Sequence, residues 1–209
     1  MEKIKGKQEL LLESLKKFYV SNDTGVISII IPIIKQQTTI SLRLLDWLVT
    51  NYSKQNDINY NVGPEGSEGS NFNIWLDYKN QLKAYSKRQF DPFCRRERIW
   101  YDTKTGQTSI INFNDIEMYQ KRTNGFITTV GQLNFFKWAL SNLVVNYAFL
   151  HITEIESDML KSADLRKIES MKKKVLKNGD SSSIVRKRKV SKNHKGLHKH
   201  IVKVVIKFS

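Results

Sequence analysis

TTVGQLNFFKWALSNLV, residues 128–144, is the stretch on which the fold turns. Thr128 or Thr129 can accept from the free N–H groups at a helix start. Behind them Leu133, Phe136, Leu140 and Val144 recur at spacings of three and four, one face of a 3.6-residue period. A helix this apolar must bury itself, and the upstream chain supplies the cover. Lys7–Val20 predicts a helix with Leu11, Leu15 and Phe18 on one face, ended by the turn residues 21–25. Val26–Ile31 is β-branched and apolar and predicts a strand buried on both faces, with Pro32 at a sheet margin or bend. Ser41–Lys54 predicts an amphipathic helix, capped by Thr38 or Thr39, with Leu44, Leu45, Leu48 and Tyr52 inward.

Ile58–Val62 predicts a short strand, and Gly63–Ser70 a polar surface loop. That loop carries Glu65 and Glu68 and has no Lys before a Ser or Thr, so it is no phosphate cradle. Ile74–Lys87 predicts a helix with Ile74, Tyr78, Leu82 and Tyr85 as its apolar stripe, broken by Phe90-Asp91-Pro92-Phe93. Arg98–Asp102 and Thr108–Phe113, joined around Lys104-Thr105-Gly106, predict a β-hairpin. Downstream of the apolar helix, a charged helical stretch runs to about Val175 with a break at Ser162-Ala163-Asp164. Asn178–Ser183 reads as a linker, Arg186–Lys199 as a basic, weakly ordered arm, and Ile201–Phe208 as a final strand that docks on the body.

These elements predict an α+β fold: four or five helices packed on a small mixed sheet, with a basic C-terminal arm ending in a strand. The expected division is a globular domain over 1–177, the arm over 178–200 and the strand over 201–209. At 209 residues, 40% hydrophobic and 11% aromatic, the chain has enough apolar surface for one sizeable core. A lone Cys94 excludes an intramolecular disulfide and points to a reducing compartment. Glu9 and Glu13 bracket Leu10–Leu12, so no secretory hydrophobic region is read there. The most apolar stretch, Val26–Ile34, is far short of the roughly 20 residues a membrane span takes. A soluble protein inside a cell, or packaged in a particle, is the expectation.

Charge is the strongest functional signal. The last 38 residues hold thirteen Lys and Arg against one acid, Asp180, and so carry twelve of the chain's formal +15 charges. A nearly neutral body with a cationic arm predicts binding to a polyanion. In the arm the candidates are Arg186, Lys187, Arg188, Lys189, Lys192, Lys195 and Lys199. The same run also reads as a nuclear-import or solubilising segment. A second set lies in the body: Lys79, Lys83, Lys87, Arg88, Arg95, Arg96 and Arg98, against Asp77, Asp91 and Glu97. Tyr78, Tyr85, Phe90, Phe93, Trp100 and Tyr101 interleave with it, as where bases stack along a cationic groove. Tyr78 and Tyr85 also fit plain core positions, with the lysines an ordinary solvated face. Arg95 and Arg96 are the best placed, because Pro92 restrains the backbone upstream and an Arg fork grips phosphate bidentately.

Other constellations are weaker. His151, Glu154 and Asp158 share one helical face, as part of a metal shell would, or simply form a solvated acidic face. His194, His198 and His200 crowd the arm without a fourth ligand such as Cys, so no structural zinc site is read there. Cys94 beside Arg95 and Arg96 has no recognisable base, and packed with Phe90 and Phe93 it fits core better than catalysis. No Walker loop, G-x-S-x-G, H-E-x-x-H or kinase signature occurs. No enzyme activity, metal or cofactor is therefore predicted.

Residues 78–87 (YKNQLKAYSK), 90–96 (FDPFCRR) and 128–139 (TTVGQLNFFKWA), followed by the basic run, resemble a family of uncharacterised proteins in large DNA viruses of protists. The resemblance implies a viral protein working in the infected cell, in a cytoplasmic factory or the nucleus, or inside the virion. It brings no enzymatic assignment. Taken with the charge, the expected function is noncatalytic, sequence-independent nucleic-acid binding in genome packaging or organisation. The alternative is a structural or scaffolding virion protein whose basic arm docks acidic protein partners.

Overall fold

The computed structural model describes residues 6–21, 25–63, 69–93 and 97–178. The body ends at Arg166, and a second unit begins at Lys167. Helix α1, Lys7–Ser21, forms as read, with Leu15 and Tyr19 fully buried. Helix α2, Gly25–Ile34, occupies the stretch expected to be a strand. A short apolar run carries no period that separates the two structures. Burial separates them here: Ile27, Ile30 and Ile33 recur every third residue in the core, while Ile29 stays 38% exposed. Pro32 falls in the last turn and removes one intrahelical bond. Gln36, at φ 56°, then ends the helix in the left-handed region.

Helix α3, Leu42–Trp47, is capped by Ser41, whose Oγ accepts from Leu44 N at 3.1 Å, and not by Thr38 or Thr39. The fully buried Ile40 just before the cap, and Leu45 four residues into the helix, set the entry point. The expected single helix to Lys54 is interrupted. Leu48–Tyr52 widens to a π-helical turn before α4, Ser53–Gln55. Thr50 Oγ1 donates to Asp46 O at 2.6 Å inside this stretch, the kind of side-chain back-bond that distorts a helical ladder.

Strand β1, Asn59–Val62, pairs antiparallel with β2, Ser70–Asn73, a strand the polar sequence SNFN concealed. Helix α5, Ile74–Ala84, is capped by Asn73, whose Oδ1 accepts from Leu76 N at 2.8 Å. It stops three residues short of the expected Lys87, because Tyr85 is already extended. The segment after it is pinned from α7, where the buried Asn134 donates to Gln89 O at 2.9 Å and Gln132 to Pro92 O at 2.9 Å.

Strands β3, Arg98–Asp102, and β4, Thr108–Ile110, form the expected hairpin, with Gly106 at φ 66° in its turn. A 3-10 turn at Phe113–Asp115 leads to α6, Ile116–Gln120. Strand β5, Gly125–Thr129, then pairs antiparallel with β3, giving the order β4-β3-β5. A Cβ on Gly125 would strike Tyr101 O and lie 2.6 Å from Trp100 Cζ2, so this register needs glycine there. The described residues thus build two separate antiparallel sheets, where one mixed sheet was expected.

Helix α7, Val130–Ser141, springs from the end of β5, with Thr129 Oγ1 accepting from Gln132 N at 3.1 Å. It is buried nearly all round through Leu133, Phe135, Phe136, Trp138 and Ala139. Tyr19 of α1 donates its hydroxyl to Leu133 O at 2.7 Å, and burial holds that hydroxyl well above its ordinary pKa. Leu143, at φ 58°, breaks the chain, so Val144 opens a separate helix, α8, Val144–Leu150. Helix α9, Ile152–Asn178, then runs without the break expected at 162–164. Isolated Ser and Asp cost a helix only tenths of a kcal/mol to about 0.7, and Ala163 favours it. The α+β class holds, and among the described residues the helices are more numerous than the four or five expected. Residues 179–209, with the predicted arm and terminal strand, lie outside the described residues.

Candidate nucleic-acid interface

Helix α5 carries the body's first two candidate lysines, Lys79 and Lys83, both exposed and one turn apart. Its apolar side is locked onto α7. Trp138 Nε1 donates to Asp77 Oδ1 at 2.6 Å, and the Tyr78 and Trp138 rings lie 5.8 Å apart. This bond fixes the Asp77 carboxylate toward α7. Trp75 is the aromatic the sequence reading missed. Lys54 Nζ lies 5.2 Å and Lys79 Nζ 5.1 Å from its ring centroid, so two ammonium groups attend one half-buried indole. The signal was in the chain: Trp75 precedes Lys79 by four residues, one turn of the same helix face.

Beside this pair a groove of about 690 Å³ is lined by Trp75, Tyr78, Leu82, Phe90 and Phe93, with Lys79 and Lys87 among its polar edges. Lys87 reaches it from the loop after α5, so of the three lysines only Lys79 and Lys83 share a helix. Two carboxylates, Asp46 and Asp91, also line it. Burial, and secondly the charge of Asp91, push the Asp46 carboxyl up from its usual range, against the pull of Lys87. Of the interleaved aromatics only Phe93 is exposed, at 39%. Tyr78, Phe90 and Tyr101 are core, and Tyr85 stacks on Phe90 at 6.1 Å. Among the described residues none of Lys79, Lys83, Lys87, Arg88 or Arg98 makes an ion pair, although Lys87 feels the Asp46 carboxylate.

Arg98 does not join this groove. Alternation along β3 turns Ile99 and Tyr101 into the core and leaves Arg98 and Trp100 on the sheet's other face. There Arg98 lines a second cavity together with Lys35 and Arg122, neither of which the sequence had marked. Cys94, Arg95 and Arg96, the arm cations Arg186, Lys187, Arg188, Lys189, Lys192, Lys195 and Lys199, and His194, His198 and His200 lie outside the described residues.

The His151 cluster has structural partners. Tyr52 Oη donates to Glu154 Oε2 at 3.2 Å, Trp47 Nε1 to Asp158 Oδ2 at 2.7 Å, and the His151 ring stacks on Tyr147 at 4.3 Å. Burial, then Tyr147 and Glu154, push the Tyr52 hydroxyl up to about 12, so it stays a donor. These bonds tie α9 to the α3–α4 segment.

The sequence model of a family of unknown function, DUF7197, matches residues 1–205. The chain belongs to this family. An uncharacterised protein, L507, of Acanthamoeba polyphaga mimivirus is 40% identical over 158 residues, which are 76% of this chain and 56% of that relative. The chain therefore spans little more than half the length of the curated relative it matches. No solved structure matches it. The giant-virus affiliation read from residues 78–87, 90–96 and 128–139 stands. In this DUF7197 chain the described parts of those three segments converge on one cluster, with Tyr78, Phe90, Phe135 and Trp138 at centroid separations of 5.5–5.8 Å.

Proposed function

We propose that this protein binds nucleic acid without catalysis and without sequence preference, in packaging or organising a large DNA virus genome. The observation that carries the reading is the charge distribution, twelve of fifteen formal positive charges within the last 38 residues. The body supports it through Lys54 and Lys79 about Trp75 and the neighbouring groove with Phe93 and Lys87. The arm (Arg186–Lys199) takes phosphates, and the α5 surface takes an exposed base by stacking. Asp46 and Asp91 keep phosphates out of the groove floor, which favours single strands presenting bases over a duplex presenting only backbone.

The test is fluorescence anisotropy with random-sequence oligonucleotides across a salt series. If the arm neutralises about five phosphates, log affinity falls against log salt with a slope near −3.5 on single strands. Reversing Arg186, Lys187, Arg188 and Lys189 to Glu should abolish most of that slope. Unchanged binding at low salt refutes the reading.

A second reading has its own observation. Ile110, Phe113 and Met118, close in sequence, are 80%, 86% and 50% exposed, which suits a protein-docking surface and a structural role in the virion. Co-sedimentation with capsid components that survives nuclease treatment would favour it.

A further inference from the structure

The cavity on the outer face of the β4-β3-β5 sheet is about 510 Å³, within the ~300–1,000 Å³ range of small-molecule sites. Three separate segments bring a cation to it: Lys35 from the turn after α2, Arg98 from β3 and Arg122 from the turn after α6. None of the three makes an ion pair among the described residues, and no Asp or Glu is among the described lining residues. Trp100, 3% exposed, lines the same cavity, and its Nε1 donor has no hydrogen-bond acceptor among the described residues. A buried donor without an acceptor is rare in native proteins. Here it accompanies three cations that no carboxylate among the described lining residues answers.

The cover over the indole is built from the lining itself. The Tyr119 ring lies 5.5 Å from Trp100, and the Arg122 guanidinium lies 4.3 Å from the Tyr119 centroid and 6.0 Å from that of Trp100. Arg122 is exposed, and among the described residues its side chain is held by these ring contacts, so it can swing to an anion. Three cations suit a multiply charged group, and two Arg forks suit phosphate oxygens. The cavity is also too large for phosphate alone, and Ile34, Ile127 and Tyr119 offer apolar and aromatic surface for the remainder.

We propose that this cavity binds the terminal phosphate of a nucleotide, with Arg98, Arg122 and Lys35 on the phosphate and Trp100 Nε1 donating to the ligand. Two sources share that chemistry, a free nucleotide and the 5′-phosphate of a strand. The residues named for this site all lie in the body, so it is tested apart from the nucleic-acid reading above.

The experiment titrates full-length protein with AMP, adenosine, and a short oligonucleotide bearing either a 5′-phosphate or a 5′-hydroxyl. AMP should bind saturably and adenosine at least tenfold more weakly. Arg98→Gln and Arg122→Gln should each weaken AMP about tenfold or more, as loss of a charge-assisted contact does. Trp100→Phe, which keeps the ring and removes the donor, should weaken it several-fold. The arm variant with Arg186, Lys187, Arg188 and Lys189 changed to Glu should bind AMP as the parent does. A 5′-phosphate advantage that disappears in Arg122→Gln identifies the strand end; AMP binding without that advantage identifies the free nucleotide. No AMP binding and no 5′-phosphate advantage, equal binding of adenosine, AMP lost with the arm charges, or AMP unaffected in a folded Arg122→Gln protein would each overturn the proposal. Arg122 is exposed, so its variant keeps the test valid if Arg98→Gln unfolds.

Discussion

Replacing Trp75 by Ala separates stacking from charge, because the two terms respond differently to salt. A base stacked on an aromatic side chain contributes about 1–3 kcal/mol. The structure reduces this figure. Lys54 and Lys79 already lie 5.2 and 5.1 Å from the indole centroid, and a base must displace at least one of them. An exposed cation–π contact is worth ~0.5–1 kcal/mol, so the net loss on Trp75→Ala should be about 0.5–2 kcal/mol. At 1.4 kcal/mol per decade this is roughly a 2- to 30-fold weaker hold on a short single strand. The salt slope should not change, since no cation is removed. Lys79→Gln should do the reverse, with a small loss at moderate salt and a slope shallower by about 0.7. Trp75→Phe keeps a stacking face and should retain most of the affinity. The assay is anisotropy on a labelled oligonucleotide at several salt concentrations, with thermal melts to confirm equal folding. A Trp75→Ala protein that melts normally and binds within twofold of the parent at every salt would refute the stacking argument.

Two further outcomes follow from the packing. Gly125→Ala should destabilise the fold by about 2–3 kcal/mol, read as a lower Tm, because its Cβ has the Tyr101 carbonyl and the Trp100 ring to displace and neither is a flexible chain end. Asp46→Asn should raise the Tm at pH 7. The Asp46 carboxyl is raised in the fold, so the folded state binds the extra proton and stability falls as pH rises from the unfolded value near 3.9 through the folded one. The stabilisation by Asn should therefore shrink as the melts are repeated at acid pH, and a constant difference across pH would refute the burial argument.

The parts of the fold that were legible in the sequence are those with a local punctuation mark. Asn73, Thr129 and Gly106 each satisfy a cap or a turn within three residues, and α5, α7 and the β3–β4 hairpin appear where those residues put them. Elements whose identity is settled only by partners were misread or missed. The run Val26–Ile31 has the same composition as a buried strand, and only the core contacts of Ile27, Ile30 and Ile33 make it a helix. Strand β5 ends in the threonine that also caps α7, so in the sequence Thr128 and Thr129 read only as a helix start and the strand is missed. The long helices were cut for equally local reasons that leave little trace in sequence, a left-handed Leu143 and a back-bonded Thr50.

The candidate sites follow the same division, and this bears on how the protein's cations are to be understood. Counting charge along the chain grouped Arg98 with Lys79, Lys83 and Lys87, because sequence distance was the only distance available. Strand alternation overrides that grouping. The side chain next to Ile99 must leave the core, and it emerges beside Arg122 and Lys35, which come from segments far away in sequence. Net charge alone would treat all seven body cations as one diffuse field, useful for steering any polyanion. Placing Lys79 and Lys87 at an aromatic groove with two carboxylates, and Arg98 at a recess whose described lining holds no acid and has an unanswered indole donor, gives them different chemistry. A diffuse field predicts that each neutralised cation lowers affinity by a similar small amount for every anionic ligand. Two distinct sites predict that Lys79→Gln and Arg122→Gln differ in which ligand they weaken, oligonucleotide for the first and AMP for the second. The geometry of β3 favours the second outcome.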